Sequence, residues 1–274
     1  MSKTAAAFLE VQDHVLIMGV VNLTPDSFSD GGRYLAPADA LLHGLALADQ
    51  GADILDLGGE STRPGARSVP VQEELDRVIP AVEALRGQTD LPISVDTSKT
   101  AVMQAAVAAG ADMINDVNAL LGEGALEAAA QLGVPVCLMH RQGEPQTMQT
   151  APTYGDVVAE VRGFLAARVS AAVAAGIPPE HIVIDPGFGF GKTLAHNLAL
   201  LRELGQLVSL GYPVLAGLSR KSMLAELTGR AADDRLAGSI ALATLAAERG
   251  ARILRVHDVA PTVDALRVLA ALME

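Results

Sequence analysis

The sequence predicts an α/β protein built as a single (β/α)8 TIM barrel, with its chemistry on the loops that follow the C-terminal ends of the strands. Three observations carry that expectation. Short β-branched apolar runs alternate with longer Ala- and Leu-rich stretches along the whole chain, the pattern of parallel strands covered by helices. Eight such runs can be read in 274 residues, and eight βα units in about 250 residues match a closed barrel, whereas an open doubly wound sheet usually has fewer strands. Nearly every run ends in polar residues. No linker divides the chain, so residues 1–274 read as one domain.

The first run, VLIMGVVN, ends on Asn22 and passes into LTPDSFSDGG, where turn formers and small polar groups replace the apolar pattern. ILDLGG follows, with Asp56 inside it and Glu60 just beyond, ahead of STRPG. PISVDT carries Asp96, MINDV carries Asn115 and Asp116, and PVCLMH ends on Met139 and His140. IVIDPG delivers Asp185, PVLAGLS leads into Ser219 through Ser222, and ILRVH supplies Arg255 and His257. Each run precedes a helix-compatible segment such as APADALLHGLALADQG or PTVDALRVLAALME. A ring of polar strand ends at one mouth of a barrel is more than a structural protein needs, because buried polar groups cost free energy unless something pairs with them.

Composition narrows the partners. Lys and Arg total 20 against 32 acids, a formal charge of −12, so a broad nucleic-acid-binding surface is excluded and any anionic ligand must meet a local cationic pocket. The single cysteine, Cys137, rules out an internal disulfide and reads as a buried strand thiol, consistent with a reducing cytoplasm. The opening residues MSKTAAAFLEVQDH lack the apolar core of a signal peptide, and no apolar run approaches the roughly 20 residues that span a bilayer. A membrane is therefore not an expected partner.

The stretch DPGFGFGKT, Asp185 to Thr193, invites two phosphate-binding patterns and fits neither. A P-loop needs glycine where this chain has Pro186, and a dinucleotide fingerprint needs glycine where it has Lys192. The expectation from residue type is a backbone folded closely beside a ligand, with Phe188 and Phe190 as apolar walls; a tight turn without a ligand is the alternative.

Taken in order, VNLTPDSFSDGG, DLGGESTRPG, SVDT, INDV, CLMH, DPGFGFGKT, GLSRKS and RVHDV resemble the dihydropteroate synthase family over essentially the whole chain. Methyltetrahydrofolate methyltransferases share parts of the Asp and Asn pattern but are not expected to carry both the TPDSFSDGG and ESTRPG loops. A non-catalytic synthase-like pterin-binding paralogue is a further alternative, which the loss of a loop residue would favour; none is missing. The resemblance implies condensation of 6-hydroxymethyl-7,8-dihydropterin pyrophosphate with p-aminobenzoate, release of pyrophosphate with Mg2+, and a homodimer through the outer helices near the apolar segment GSIALATLAAERGARI.

The residues bear on that implication chemically. A pterin offers an edge of adjacent N–H donors that an ionised carboxylate can accept in bidentate fashion, which suits Asp185. By resemblance Asp96, Asn115 and Lys221 complete the pterin floor, with Met139 on one face of the ring and the Arg255 guanidinium on the other. By type alone, any of Asp96, Asn115 and Lys221 could instead be a satisfied core group, and Met139 core filler. The pyrophosphate is assigned to Asn22, Thr62, Arg63, Arg255 and His257, with Asn22 also the oxygen ligand for a magnesium ion that keeps most of its waters. The resemblance implies a p-aminobenzoate region of Ser27, Phe28, Thr62, Arg63, Pro64, Phe190, Lys221 and Ser222; for Ser222 simple helix N-capping is the alternative. Lys221, Arg255, Asp96 and Asp30 are the catalytic candidates, Asp30 either beside a developing cation or as a turn carboxylate. His14, His43, His140, His181 and His196 are expected to be structural or exposed.

Overall fold

A computed structural model describes residues 6–10, 14–24, 37–62, 65–144 and 146–273. All eight expected strands form, each followed by helix: β1 (Leu16–Asn22), α1 (Pro37–Asp49), β2 (Ile54–Gly58), α2 (Val71–Arg86), β3 (Ile93–Asp96), α3 (Thr100–Ala108), β4 (Met113–Asp116), α4 (Ala125–Leu132), β5 (Val136–Met139), α5 (Val157–Ala174), β6 (Ile182–Asp185), α6 (Leu194–Arg202), α7 (Leu204–Val208), β7 (Leu215–Ala216), α8 (Ser222–Thr228), α9 (Leu236–Glu248), β8 (Ile253–Val256) and α10 (Val259–Met273). Every ladder is parallel, in the order β6-β5-β4-β3-β2-β1-β8-β7. A parallel bridge between Ile184 and Val214 joins the two ends, closing the barrel. No described helix is long and apolar enough to cross a membrane.

The period-2 alternation of the strands divides their side chains between two cores. Outward residues such as Ile17, Leu55, Val95, Ile114, Leu138 and Ile184 belong to the large cluster shared with the helices. Inward residues near the strand starts, Leu16, Met18, Ile54, Met113, Cys137, Val183, Leu215 and Ile253, form a separate apolar plug with Phe8 and Leu9 packed against it. Cys137 is thus the buried strand thiol that its context implies, its pKa pushed well up by burial. Two residues further along the same inward rows stand Asp56, Asn115, Met139, Asp185 and Arg255, joined by Asp96 on β3. The barrel interior is apolar at its N-terminal end and charged at the other.

Candidate active site

Asp56 is the hub of the charged tier. It is wholly buried, accepts from Arg255 Nε at 2.6 Å, and lies 3.4 Å from the Asn115 amide nitrogen through each of its oxygens. Arg255 reaches across with Nη2 to Asp96 Oδ2 at 3.0 Å, so two carboxylates fix the guanidinium and leave Nη1 and its flat face for a ligand. Burial opposes the Arg255 charge, but Asp56 and Asp96 outweigh it and raise the pKa. For Asp96, burial dominates: although Arg255 pulls the other way, the carboxyl is pushed up to about 7, helped by Asp56, Glu74 and Asp116. Its Oδ1 is buried with no hydrogen-bond partner. An acceptor held in this way has no donor within the protein and can take one from a ligand or a water.

Asp185 ends β6 directly beside Met139, its cross-strand partner on β5. The Asp185 Oδ1 accepts the Gly187 N–H at 2.7 Å. Burial raises its pKa, against the opposing pull of Lys221 and the Gly187 N–H. Lys221, at the N-cap of α8, donates Nζ to the Phe188 carbonyl and lies 4.7 Å above the centre of the Phe190 ring. Burial lowers its pKa to about 8, with Asp185 resisting the fall. Met139 is buried, belongs to neither of the two apolar clusters and stands at the end of β5 beside Asp185.

Two expectations about the glycine-rich stretch are corrected. Phe188 is completely buried within the outer core and is no ligand wall, whereas Phe190 is half-buried under Lys221. The glycines approach a neighbouring loop. At Gly187, with φ +65°, a Cβ would stand 1.9 Å from the His140 carbonyl oxygen, and at Gly191, with φ +63°, 2.2 Å from that of Gln142. The backbone can lie this close to the β5 loop only without side chains. Lys192 then turns inward: 3% exposed, its ammonium lies 3.0 Å from His140 Nδ1 and donates to the carbonyls of Gly187 at 2.9 Å, Phe190 at 3.0 Å and His140 at 3.3 Å.

Around the rim, His257 places Nδ1 3.0 Å from the Ser219 hydroxyl, which also accepts the His257 N–H at 3.3 Å. Thr62 is half-buried and lines a cavity of about 360 Å3 with Ser61, Glu74, Asp96, Lys99 and Arg141 among others. Lys99 there bridges Glu60, at 2.5 Å, and Glu74. Hydrogen bonding to these two carboxylates overcomes burial and raises the Lys99 pKa. Glu60 also accepts the Val69 N–H at 2.8 Å, drawing together the two ends of the segment that carries Thr62. Asn22 ends β1 half-buried, in register with Gly58. Ser222 is the exposed first residue of α8 and makes no capping bond, so the N-cap alternative for it fails. Ser27, Phe28, Asp30, Arg63 and Pro64 lie outside the described residues.

Among the described residues no group of three or more His, Cys, Asp or Glu is disposed to hold a metal ion. A magnesium ion that retains waters and leans on a ligand's phosphate oxygens needs only one or two protein oxygens, and Asn22 suits that arrangement. The histidines set aside from the sequence have other work where the structure describes them. His140 is buried against Lys192, burial lowering its pKa to about 3, and His196 forms a capping box with Thr193. Sequence reasoning placed Asp56 in the polar ring but gave it no role; its inward position between Ile54 and Gly58 on an alternating strand was the available signal.

Residues 18–257 match the family described as "Pterin binding enzyme". The chain is 51% identical over 258 residues to dihydropteroate synthase of Escherichia coli (strain K12), covering 94% of this chain and 92% of that protein. Its fold superposes on a Xanthomonas albilineans dihydropteroate synthase holding 4-aminobenzoic acid with a TM-score of 0.90 and 60% identity, covering 95% of this chain and 94% of the other. A second structure from that organism, in complex with 7,8-dihydropteroate, gives a TM-score of 0.87 and 56% identity over the same shares.

Proposed function

The chain belongs to the pterin binding enzyme family, and from that premise we propose that it acts as a dihydropteroate synthase, joining 6-hydroxymethyl-7,8-dihydropterin pyrophosphate to p-aminobenzoate with release of pyrophosphate. The observation that carries the reading is the inward tier of Asp96, Asn115, Asp185, Lys221 and Arg255 above an apolar plug, together with relatives whose structures hold 4-aminobenzoic acid and 7,8-dihydropteroate. Asp185 has one oxygen committed to Gly187 and the other available to the pterin's N–H edge. The unpartnered Asp96 Oδ1 accepts a further ring donor, and Lys221 faces the ring carbonyl. Charge-assisted bonds of this kind contribute roughly 1.5 to 3 kcal/mol each.

Above that floor the ring lies between Met139 and the flat face of Arg255, and the pyrophosphate extends towards Asn22, Thr62, Arg63, Arg255 and His257. Asn22 would hold a magnesium ion here, which when bound would supply Lewis-acid neutralisation of the departing charge. Asp56 and Asp96 keep the Arg255 guanidinium charged and aimed, so its contribution to the leaving group costs no reorganisation during the reaction. The dihydropterin delocalises the positive charge left at its exocyclic carbon, so the displacement is SN1-like and needs no protein nucleophile; Asp30 is assigned beside that cation. The arylamine enters between Phe190, Lys221 and Ser222 on one side and the loop residues Ser27, Phe28, Thr62, Arg63 and Pro64 on the other.

A homodimer and a cytoplasmic setting belong to the same reading. Exposed Leu236 and Leu245 on α9 and Val268 and Leu272 on α10 support the first, which a monomeric mass by sedimentation at micromolar concentration would remove. The single, buried Cys137 supports the second. The activity is tested by incubating the protein with both substrates and Mg2+ and identifying 7,8-dihydropteroate by mass. Product that depends on all three additions supports the reading; pyrophosphate release that ignores p-aminobenzoate contradicts it.

A further inference from the structure

Lys192 of DPGFGFGKT is a buried cation that the proposed reaction does not use. Burying an ammonium is unfavourable, and burial lowers the Lys192 pKa to about 7 even with Asp185 opposing the shift. A side chain needed only for packing would be apolar here. Instead its three N–H donors meet the His140 imidazole and the carbonyls of His140, Gly187 and Phe190. His140 is steadied in turn by an edge-to-face contact with Phe164, ring centres 4.9 Å apart, and by its own N–H bond to the Asp185 carbonyl at 2.9 Å.

The residues that Lys192 grips are those on which the site's geometry hangs. The Gly187 peptide accepts from Lys192 through its oxygen, while the Gly187 N–H fixes Asp185 Oδ1. Phe188, between the gripped residues 187 and 190, supplies the carbonyl that receives Lys221, and the Phe190 ring lies under the same ammonium. We propose that Lys192 is a positioning residue for the pterin site: by tying His140 of the β5 loop to the Gly187 and Phe190 carbonyls of the β6 loop, it holds Gly187 where it aims Asp185 and Phe188 where it aims Lys221. Lys192 touches no substrate and acts through these two residues. The inference rests on the pterin reading of the site and deepens it.

The test compares two ligands in one protein. Calorimetric dissociation constants are measured for 6-hydroxymethylpterin and, separately, for inorganic pyrophosphate with Mg2+, in wild type, Lys192→Met and His140→Phe, with circular dichroism and Tm as fold controls. Lys192→Met is expected to weaken pterin binding at least tenfold while pyrophosphate binding, assigned to residues on other strands, stays within twofold. His140→Phe, which keeps a flat ring against Phe164 and removes a single acceptor, gives a smaller loss of two- to fivefold with the same selectivity. A folded Lys192→Met that binds pterin within twofold of a pterin-binding wild type, or loses both ligands in proportion, overturns the inference. Should Lys192→Met fail to fold, unchanged pterin binding by His140→Phe overturns it instead. A wild type that binds no pterin removes the functional reading itself, and this inference with it.

Discussion

Replacing Asp185 by asparagine changes one terminal atom at the floor of the barrel mouth, and the local bonding fixes which one. The Gly187 N–H needs an acceptor at the Oδ1 position, so the amide oxygen stays there and the new NH2 takes the Oδ2 place, pointing a donor at the pterin's donors. One charge-assisted bond is lost, about 2 kcal/mol, which is roughly thirtyfold in affinity at 1.4 kcal/mol per decade. The change also strips Lys221 of the carboxylate that resists its pKa falling below about 8, so the deficit widens between pH 7 and pH 8. Stability should hardly suffer, because burial already disfavours the Asp185 charge. Titration of 6-hydroxymethylpterin into both proteins, with Tm as control, measures the effect. Affinity within threefold of wild type in a folded variant would refute the reasoning, since the pterin's N–H edge would then not rest on the Asp185 carboxylate.

Arg255→Ala is expected to abolish turnover and, by leaving the buried Asp56 carboxylate unpaired, to cost about 3 kcal/mol of stability, read from urea unfolding; unaltered stability would mean that the pair is not what holds Asp56. Pterin affinity should rise from pH 6 to pH 8 as Asp96, held up at about 7, ionises and becomes a full acceptor, and fall beyond as Lys221 loses its proton near 8. Asp96→Asn should erase the acid limb and keep the alkaline one, and an unchanged profile would remove Asp96 from pterin recognition. Gly187→Ala, whose Cβ would meet the His140 carbonyl at 1.9 Å, should cost on the order of 3 kcal/mol from overpacking and left-handed strain together. Gly133→Ala, also left-handed but with open space around it, should cost only about 1 kcal/mol by calorimetry; equal losses would show that the clash is relieved.

The barrel was legible in the sequence because its signals are local. Runs such as VLIMGVVN and IVIDPG are strands by composition and length alone, and alternation then fixes which residues face inward. Even β7, only two residues long, was marked by the apolar run PVLAGLS. Pairings between distant strands were not legible: nothing near Asp56 announces Arg255, a partner 199 residues away. The same holds for Lys192, whose acceptor His140 lies 52 residues back, and for Lys99, whose two carboxylates come from the segment after β2 and from α2. The glycines of DPGFGFGKT mark close approach, but composition cannot say whether ligand or backbone is what approaches, and at Gly187 and Gly191 it is the backbone of the β5 loop. Phe188 and Phe190 differ in burial because one is aimed into the outer core and the other into the mouth, a matter of loop path rather than residue type.

The central claim is that the pterin is read by the inward tier at the mouth of the barrel, and a crystal structure of this protein with 7,8-dihydropteroate bound tests it most directly. The account predicts the pterin's N–H edge on Asp185 and Asp96, its carbonyl facing Lys221, Met139 and Arg255 on its two faces, and the aminobenzoyl group running out past Phe190. A pterin ring seated instead in the adjoining cavity beside Glu74, Lys99 and Arg141, with Asp185 untouched, would contradict it.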